Sequence, residues 1–253
     1  MLYLIGLGLA DQHDISLKGL NAIKSCARIY LEWYTSKLQC STQDLEKVYG
    51  KKIHLADREF VEDATELLDQ AMISDIALLV MGDPLCATTH WDILERAKKL
   101  NIRTEVIHNA SIISAVGATG LQVYKFGKIT SIPFPRENFE PETFYDVIKA
   151  NKAIGAHTLL LLDLWPKENK FMSVNEAIEL IRKIERKRGE RVLLTSDLCV
   201  GVARLGAKDE KIIAGTAVEV SDADFGSAPH ALIIPGQLHF MEEDALKTFM
   251  RRE

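Results

Sequence analysis

Ile76-Ala77-Leu78-Leu79-Val80-Met81-Gly82-Asp83-Pro84 is the stretch that decides the fold class. Six apolar residues run on without a break, and Gly, Asp and Pro then stop them. A strand apolar at every position has no face for water. That is the condition of a central strand in a parallel sheet covered on both sides; a one-sided strand would alternate. Asp before Pro is pushed towards extended geometry, and Pro fixes the next φ, so the strand ends in a stiff loop. Loops beyond the carboxyl ends of parallel strands are where α/β proteins bind ligands. A carboxylate there suits ribose hydroxyls or an amino group. The same residues also read as a turn, with Thr88 or Thr89 capping a helix from Trp91.

Working outwards, strands and helices alternate. Residues 2–5 read as a strand ending in Gly6-Leu7-Gly8, and 17–26 as a helix capped by Ser16. Residues 28–34 are strand-like, 42–48 form a helix stopped by Gly50, and 62–72 form an amphipathic helix. Beyond the central stretch come a helix over 91–100 and a short strand over 103–107. This alternation argues for a parallel α/β sheet. Residues 132–141 hold three of the seven prolines and suit a boundary segment. A helix over 142–150, a strand over 157–162 and a long helix over 174–188 follow, the last between Ser173 and Gly189. Strand-like runs at 192–195, 198–203, 211–214 and 231–234 and a closing helix over 242–250 make the second half strand-rich, which favours a mixed sheet. The fold class is therefore two α/β domains, the first with a mostly parallel sheet and the second with a mixed one. The division is expected at 1–126 and 127–253.

The 253 residues are 47% hydrophobic and 26% charged, ordinary for a globular chain with a sizeable core. The net charge of −5 argues against duplex nucleic acid as a partner. The cluster Arg182, Lys183, Arg186, Lys187, Arg188 reads as a solvated helix face. Cys26, Cys40, Cys86 and Cys199 form no CxxC pair and read as reduced thiols of a cytosolic protein. The apolar start, Met1-Leu2-Tyr3-Leu4-Ile5, is too short for a signal peptide and lacks a basic leader. No apolar run reaches about 18 residues, so no membrane span is expected.

Gly6-Leu7-Gly8 is not the dinucleotide fingerprint, because Asp11 stands where the third glycine belongs. It reads either as close backbone approach to a ligand or as a plain turn. His108-Asn109-Ala110-Ser111-Ile112 follows a strand and opens a helix, where Ser111 and backbone N–H groups hold a ligand's polar edge or simply cap. Cys86 and His90 are four apart, but no further ligand has suitable spacing, so no metal is expected. His157 heads an apolar strand and reads as a buried histidine with a backbone partner. No GxSxG, Walker A lysine or HExxH occurs, and no covalent nucleophile is marked.

Taken in order, these segments resemble one family. Gly6-Leu7-Gly8-Leu9, Tyr34-Thr35-Ser36, Gly82-Asp83-Pro84, Ala87-Thr88-Thr89-His90 and Val106-Ile107-His108-Asn109-Ala110-Ser111-Ile112 occur in this order in the diphthine synthases. Tyr124-Lys125-Phe126-Gly127, His157-Thr158-Leu159-Leu160, Ala203-Arg204, Asp224-Phe225-Gly226 and Pro229-His230 continue the series. The glycine-rich opening and the Gly-Asp-Pro loop are shared by the wider tetrapyrrole-methylase-like superfamily. The resemblance implies a two-domain methyltransferase, a homodimer, with S-adenosylmethionine in the cleft between domains. Carried over, the cofactor contacts fall on Leu9, Asp83, Cys86, Ser111, Ile112, Leu162, Leu205 and His230. Cys86 and Leu205 stand where members vary, which implies contacts through backbone. No catalytic base is assigned. The implied reaction is trimethylation of the amine on a 3-amino-3-carboxypropyl-histidine of translation elongation factor 2. The short loop between Leu164 and Met172 resembles the archaeal branch, whereas eukaryotic members carry an insertion there. A relative acting on a tetrapyrrole, or a binding module that has kept the fold, are the alternatives.

Overall fold

A computed structural model describes residues 1–137 and 139–250. The chain forms two compact units, Met1–Ile113 and Ser114–Glu253, with the short helix α6 (Ile112–Ala115) spanning the division in sequence.

The first unit contains strands β1 (Leu2–Gly6), β2 (Arg28–Glu32), β3 (Ile53–Ala56), β4 (Ile76–Val80) and β5 (Thr104–Ile107). They form one sheet in the order β3-β2-β4-β1-β5, and every pairing is parallel. The expectation for residues 76–81 holds. Ile76, Leu78 and Val80 pack into one core with Leu2, Leu4, Leu67 and Ile93, while Ala77 and Leu79 pack into another with Ile5, Ile23, Leu31 and Leu45. All five residues of β4 are 0% exposed. Both faces are apolar because both are covered, by α1 (Leu17–Ser25) and α2 (Thr42–Tyr49) on one and α3 (Arg58–Asp63), α4 (Thr65–Ile73) and α5 (Trp91–Lys99) on the other.

Caps fix these helices where the sequence places them. The Ser16 hydroxyl accepts from Gly19 N at 3.0 Å. Gly50 ends α2 in the left-handed region. One expectation fails: residues 62–72 are not part of a single helix. Ala64 sits at φ 50°, fully buried, and splits the segment into α3 and α4. A left-handed alanine costs roughly 1–2 kcal/mol, and burial of Val61, Leu67 and Leu68 around it offsets that. Strand β3 is the unit's other surprise. Only its end residues Ile53 and Ala56 are buried, so it carries no clear period in sequence.

The second unit contains β6 (Thr130–Ile132), β7 (Thr158–Leu162), β10 (Leu198–Ala203), β11 (Lys211–Thr216) and β12 (His230–Ile234), ordered β11-β10-β12-β7-β6. Only β6–β7 is parallel, so the sheet is mixed, as expected. A two-stranded ribbon, β8 (Leu164–Trp165) with β9 (Lys170–Phe171), follows β7. One sheet face packs on α7 (Thr143–Ala153), α8 (Val174–Arg188) and α9 (Ala217–Ser221). Ser173 and Gly189 bound α8 as read from sequence, Ser173 through a capping box with Glu176. The basic cluster on α8 is a salt-linked surface: Lys183 pairs with Glu140, Lys187 with Glu142, and Arg188 with Asp146 and Glu190.

Residues 192–195 are not a strand. Glu185 accepts from the N–H groups of Arg191, Val192 and Leu193, and Asp197 from that of Leu194. Side chains thus supply what a neighbouring strand would. The expected division at 126/127 lies within the second unit. There, residues just before it are tied to α10 (Phe240–Lys247) by Glu242, which is completely buried. Its carboxylate accepts from Gln122 N at 2.8 Å, His239 N at 2.8 Å and His157 Nε2 at 2.9 Å, and pairs with Lys125 Nζ. His157 is also buried, and its Nδ1 accepts from Gly236 N at 2.9 Å. Burial holds its pKa below the ordinary histidine value, which fits the neutral tautomer with its proton on Nε2.

Candidate functional site

In the first unit, the loops after β1, β4 and β5 leave the same end of the sheet and are locked together by their own residues. Gly8 and Gly82 both have positive φ and form a reciprocal backbone bridge, Gly8 N to Gly82 O at 3.2 Å and Gly82 N to Gly8 O at 2.8 Å. Gly6 is needed for a different reason. A Cβ there would lie 2.6 Å from Gly82 O and 2.8 Å from Asn109 Cβ. The Asn109 amide donates to Gly6 O and to Asp14 O, each at 3.0 Å, and so joins the β5 loop to the β1 loop. Asp14 in turn accepts from Leu9 N and Ala10 N.

Asp83 is 5% exposed. Oδ1 accepts from Leu85 N at 2.9 Å; Oδ2 accepts from His108 Nδ1 at 2.8 Å and Asn109 N at 3.1 Å. Burial alone would raise its pKa, but these donors outweigh it and hold the carboxyl below its usual value. Asp83 is therefore an ionised acceptor that shapes two loops. About four lone-pair sites per carboxylate leave it able to take one more donor.

His90 shows a pairing that the sequence reading missed. It is 2% exposed and faces Glu32, completely buried at the end of β2. Nδ1 lies 2.8 Å from Pro84 O, and Nε2 meets the Glu32 carboxylate. Burial lowers its pKa, but the carboxylate outweighs burial and leaves it raised. With acceptors on both nitrogens, His90 is the imidazolium and joins β2 to the β4 loop. The signal was Glu32 itself, a charge directly after the apolar run Ile29-Tyr30-Leu31 and completely buried. Neither Thr88 nor Thr89 caps α5 through its side chain; the Thr88 hydroxyl donates to Pro84 O at 2.8 Å. Ala87, between them, sits at φ 57°. Of the expected cofactor residues in this unit, Leu9, Cys86 and Ile112 are half-buried and Ser111 is buried.

In the second unit, Leu162 ends β7, Leu205 follows β10 and His230 opens β12. Arg204 positions the last two. Its backbone N–H bonds Pro229 O at 2.9 Å. Its guanidinium reaches Asp209 Oδ2 at 2.7 Å, Asp209 O at 2.9 Å and Phe225 O at 2.8 Å, and also Ser227 O. His230 Nε2 lies 3.0 Å from Ser227 O, so that nitrogen carries the proton. Burial first, with the Arg204 charge behind it, keeps the ring's pKa low. Nδ1 is then a buried acceptor with no partner among the described residues.

Comparison with known proteins gives a consistent result. The model of the tetrapyrrole (corrin/porphyrin) methylases matches residues 1–221. The chain is 48% identical to a human diphthine methyl ester synthase over 270 positions, covering 98% of this chain and 95% of that one. It is also 48% identical to a diphthine synthase of Methanosarcina mazei over 253 positions, covering 97% and 94%. A crystal structure of a diphthine synthase superposes with a TM-score of 0.89 at 37% identity, covering 98% and 95%.

Proposed function

The chain belongs to the tetrapyrrole (corrin/porphyrin) methylase family and, within it, to the diphthine synthases, a methyltransferase group; from that premise we propose that it trimethylates the amine of the 3-amino-3-carboxypropyl arm on a histidine of translation elongation factor 2, with S-adenosylmethionine as donor. The observation that carries this reading is near-half identity, over almost the whole chain, to relatives named for making diphthine or its methyl ester.

The proposed cofactor residues are Leu9, Asp83, Cys86, Ser111 and Ile112 of the first unit and Leu162, Leu205 and His230 of the second. The chain fits such a group. His230 Nδ1 is a buried acceptor without a partner among the described residues, which suits an N–H of an adenine. Asp83 retains an acceptor site for a hydroxyl or amino group. Bound, the cofactor supplies a sulfonium methyl carbon electrophilic enough to need no covalent enzyme intermediate. The chain's part is then to align and desolvate. Asp83, ionised and held by three donors, is too weak a base to take the amine's proton efficiently.

Three transfers give diphthine; a fourth, to oxygen, would give the methyl ester in the human relative's name. Three is favoured by the short loop between Leu164 and Met172, and by an alignment of 253 positions with the M. mazei chain against 270 with the human one. We further propose a cytoplasmic homodimer, which light scattering would report as twice 28.3 kDa.

The test is mass spectrometry of elongation factor 2 bearing the arm, incubated with this protein and S-adenosylmethionine. A gain of three methyl groups on that histidine is expected. No gain, with cofactor still bound in a parallel titration, would redirect the activity to a small molecule such as a tetrapyrrole.

A further inference from the structure

Just beyond Leu162, four side chains of the second unit converge. Asp163 frames them: Oδ2 accepts from Phe134 N at 2.9 Å and the Trp165 indole Nε1 at 3.2 Å, and Oδ1 from Leu164 N at 2.9 Å. The Phe134 and Trp165 rings meet edge to face, centroids 5.0 Å apart. Lys170 pairs with Trp165 across the β8–β9 ribbon, and its Nζ lies 4.1 Å from the Phe134 centroid and 4.6 Å from that of Trp165. The Arg136 guanidinium lies 5.0 Å from the Trp165 centroid.

Two exposed cations thus share one aromatic pair. Bringing like charges together costs free energy, and ring quadrupoles offset only part of it. On α8 the basic residues have carboxylate partners. Here, among the described residues, no carboxylate pairs with Arg136 or Lys170, although Glu137 and Glu168 lie in the same loops. Asp163 accepts three N–H groups and pairs with neither cation. Two positive groups held on rigid rings, neither paired with a carboxylate among the described residues, form a preorganised seat for an anion. The planar guanidinium favours a carboxylate, which it binds through paired N–H donors.

We propose that Arg136 and Lys170 receive the carboxylate of the substrate's aminocarboxypropyl arm, an inference that rests on the function proposed above. Carboxylate and amine sit on the same carbon of that arm. Gripping one therefore places the other, which is the positioning an in-line transfer needs. The same grip occupies the carboxylate oxygens, so methylation falls on nitrogen. Arg136 and Lys170 are positioning residues: they move no proton and break no bond.

The test uses Arg136→Gln, Lys170→Gln, the double variant and Arg136→Lys in the full chain, with arm-bearing elongation factor 2 as substrate. Expected are an unchanged Tm and cofactor Kd, a KM raised about tenfold in each single Gln variant and further in the double, and a smaller rise in Arg136→Lys. Added salt should raise the wild-type KM and affect the double variant much less. A double variant with wild-type KM and salt dependence, beside an active wild type, would overturn this inference alone. A wild type that binds cofactor but leaves the arm unmethylated would overturn the proposed function and this inference with it.

Discussion

Replacing Glu242 by Gln tests the energetics of the second unit most directly. Four donors converge on this fully buried carboxylate: the N–H groups of Gln122 and His239, the Lys125 ammonium and the His157 imidazole. Burial alone would raise its pKa, but the donors outweigh it, with Lys125 first, and bring it from 4.5 down to about 2. A depression of roughly 2.5 units corresponds to about 3 kcal/mol favouring the folded state. Breaking a buried pair by removing one partner costs about 3–5 kcal/mol by a separate route. The amide of Gln would also turn its own donors towards two of the four. The expected loss near neutral pH is therefore about 3–5 kcal/mol, read from urea denaturation. The pH dependence carries the sign. A depressed carboxylate pKa gives stability that is full above the unfolded value and lost as pH falls towards the folded one. The gap between wild type and Glu242→Gln should hold above about pH 4.5 and narrow by about 1.4 kcal/mol per pH unit below it. A loss under about 1 kcal/mol at neutral pH, or a gap that stays constant to pH 3, would refute the reasoning.

Asp83→Ala removes an acceptor from two backbone N–H groups and from His108, so cofactor affinity should fall by about 1–3 kcal/mol; an unchanged calorimetric Kd would count against Asp83 as a cofactor residue. Gly6→Ala puts a methyl group 2.6 Å from Gly82 O; overpacking should lower stability by about 1–3 kcal/mol, and wild-type melting would show that the loops yield. His90 has a raised pKa, so its pairing with Glu32 stabilises fully below the unfolded value near 6.5 and is lost as pH rises through the folded one. Denaturation midpoints should fall as pH rises above about 6.5 in the wild type and not in His90→Gln.

The framework was legible where one local rule acted alone. Residues 76–81 needed burial on both faces, and the sheet provides it. Ser173 and Gly189 marked a helix with its own cap and stop. The misses have a common cause in distant partners. Ala64 breaks a helix whose amphipathic pattern runs on unbroken, because the core around it takes the bend. Val192 and Leu193 are apolar enough for a strand, but Glu185 takes their N–H groups from a helix earlier in the chain. Asp83, Ser111 and His230 could be marked as candidates from their loops and the family resemblance. The Glu32–His90 pair and the four-donor cradle of Glu242 could not, since each joins residues dozens of positions apart with no shared period. Arg136 and Lys170 carry no mark in the sequence, because the rings that hold them come from two separate segments.

The bridge between Gly8 and Gly82 bears on how this fold can be recombined. The two loops are complementary to one another, and Asn109 adds the third. Their shapes are co-dependent over a hundred residues of chain. A chimera whose crossover falls between Gly8 and Gly82, or between Gly82 and Asn109, would join loops from parents that never adjusted to each other. A crossover after Ile113 inherits all three from one parent. In a shuffled library, functional offspring should therefore carry the first unit as a single block.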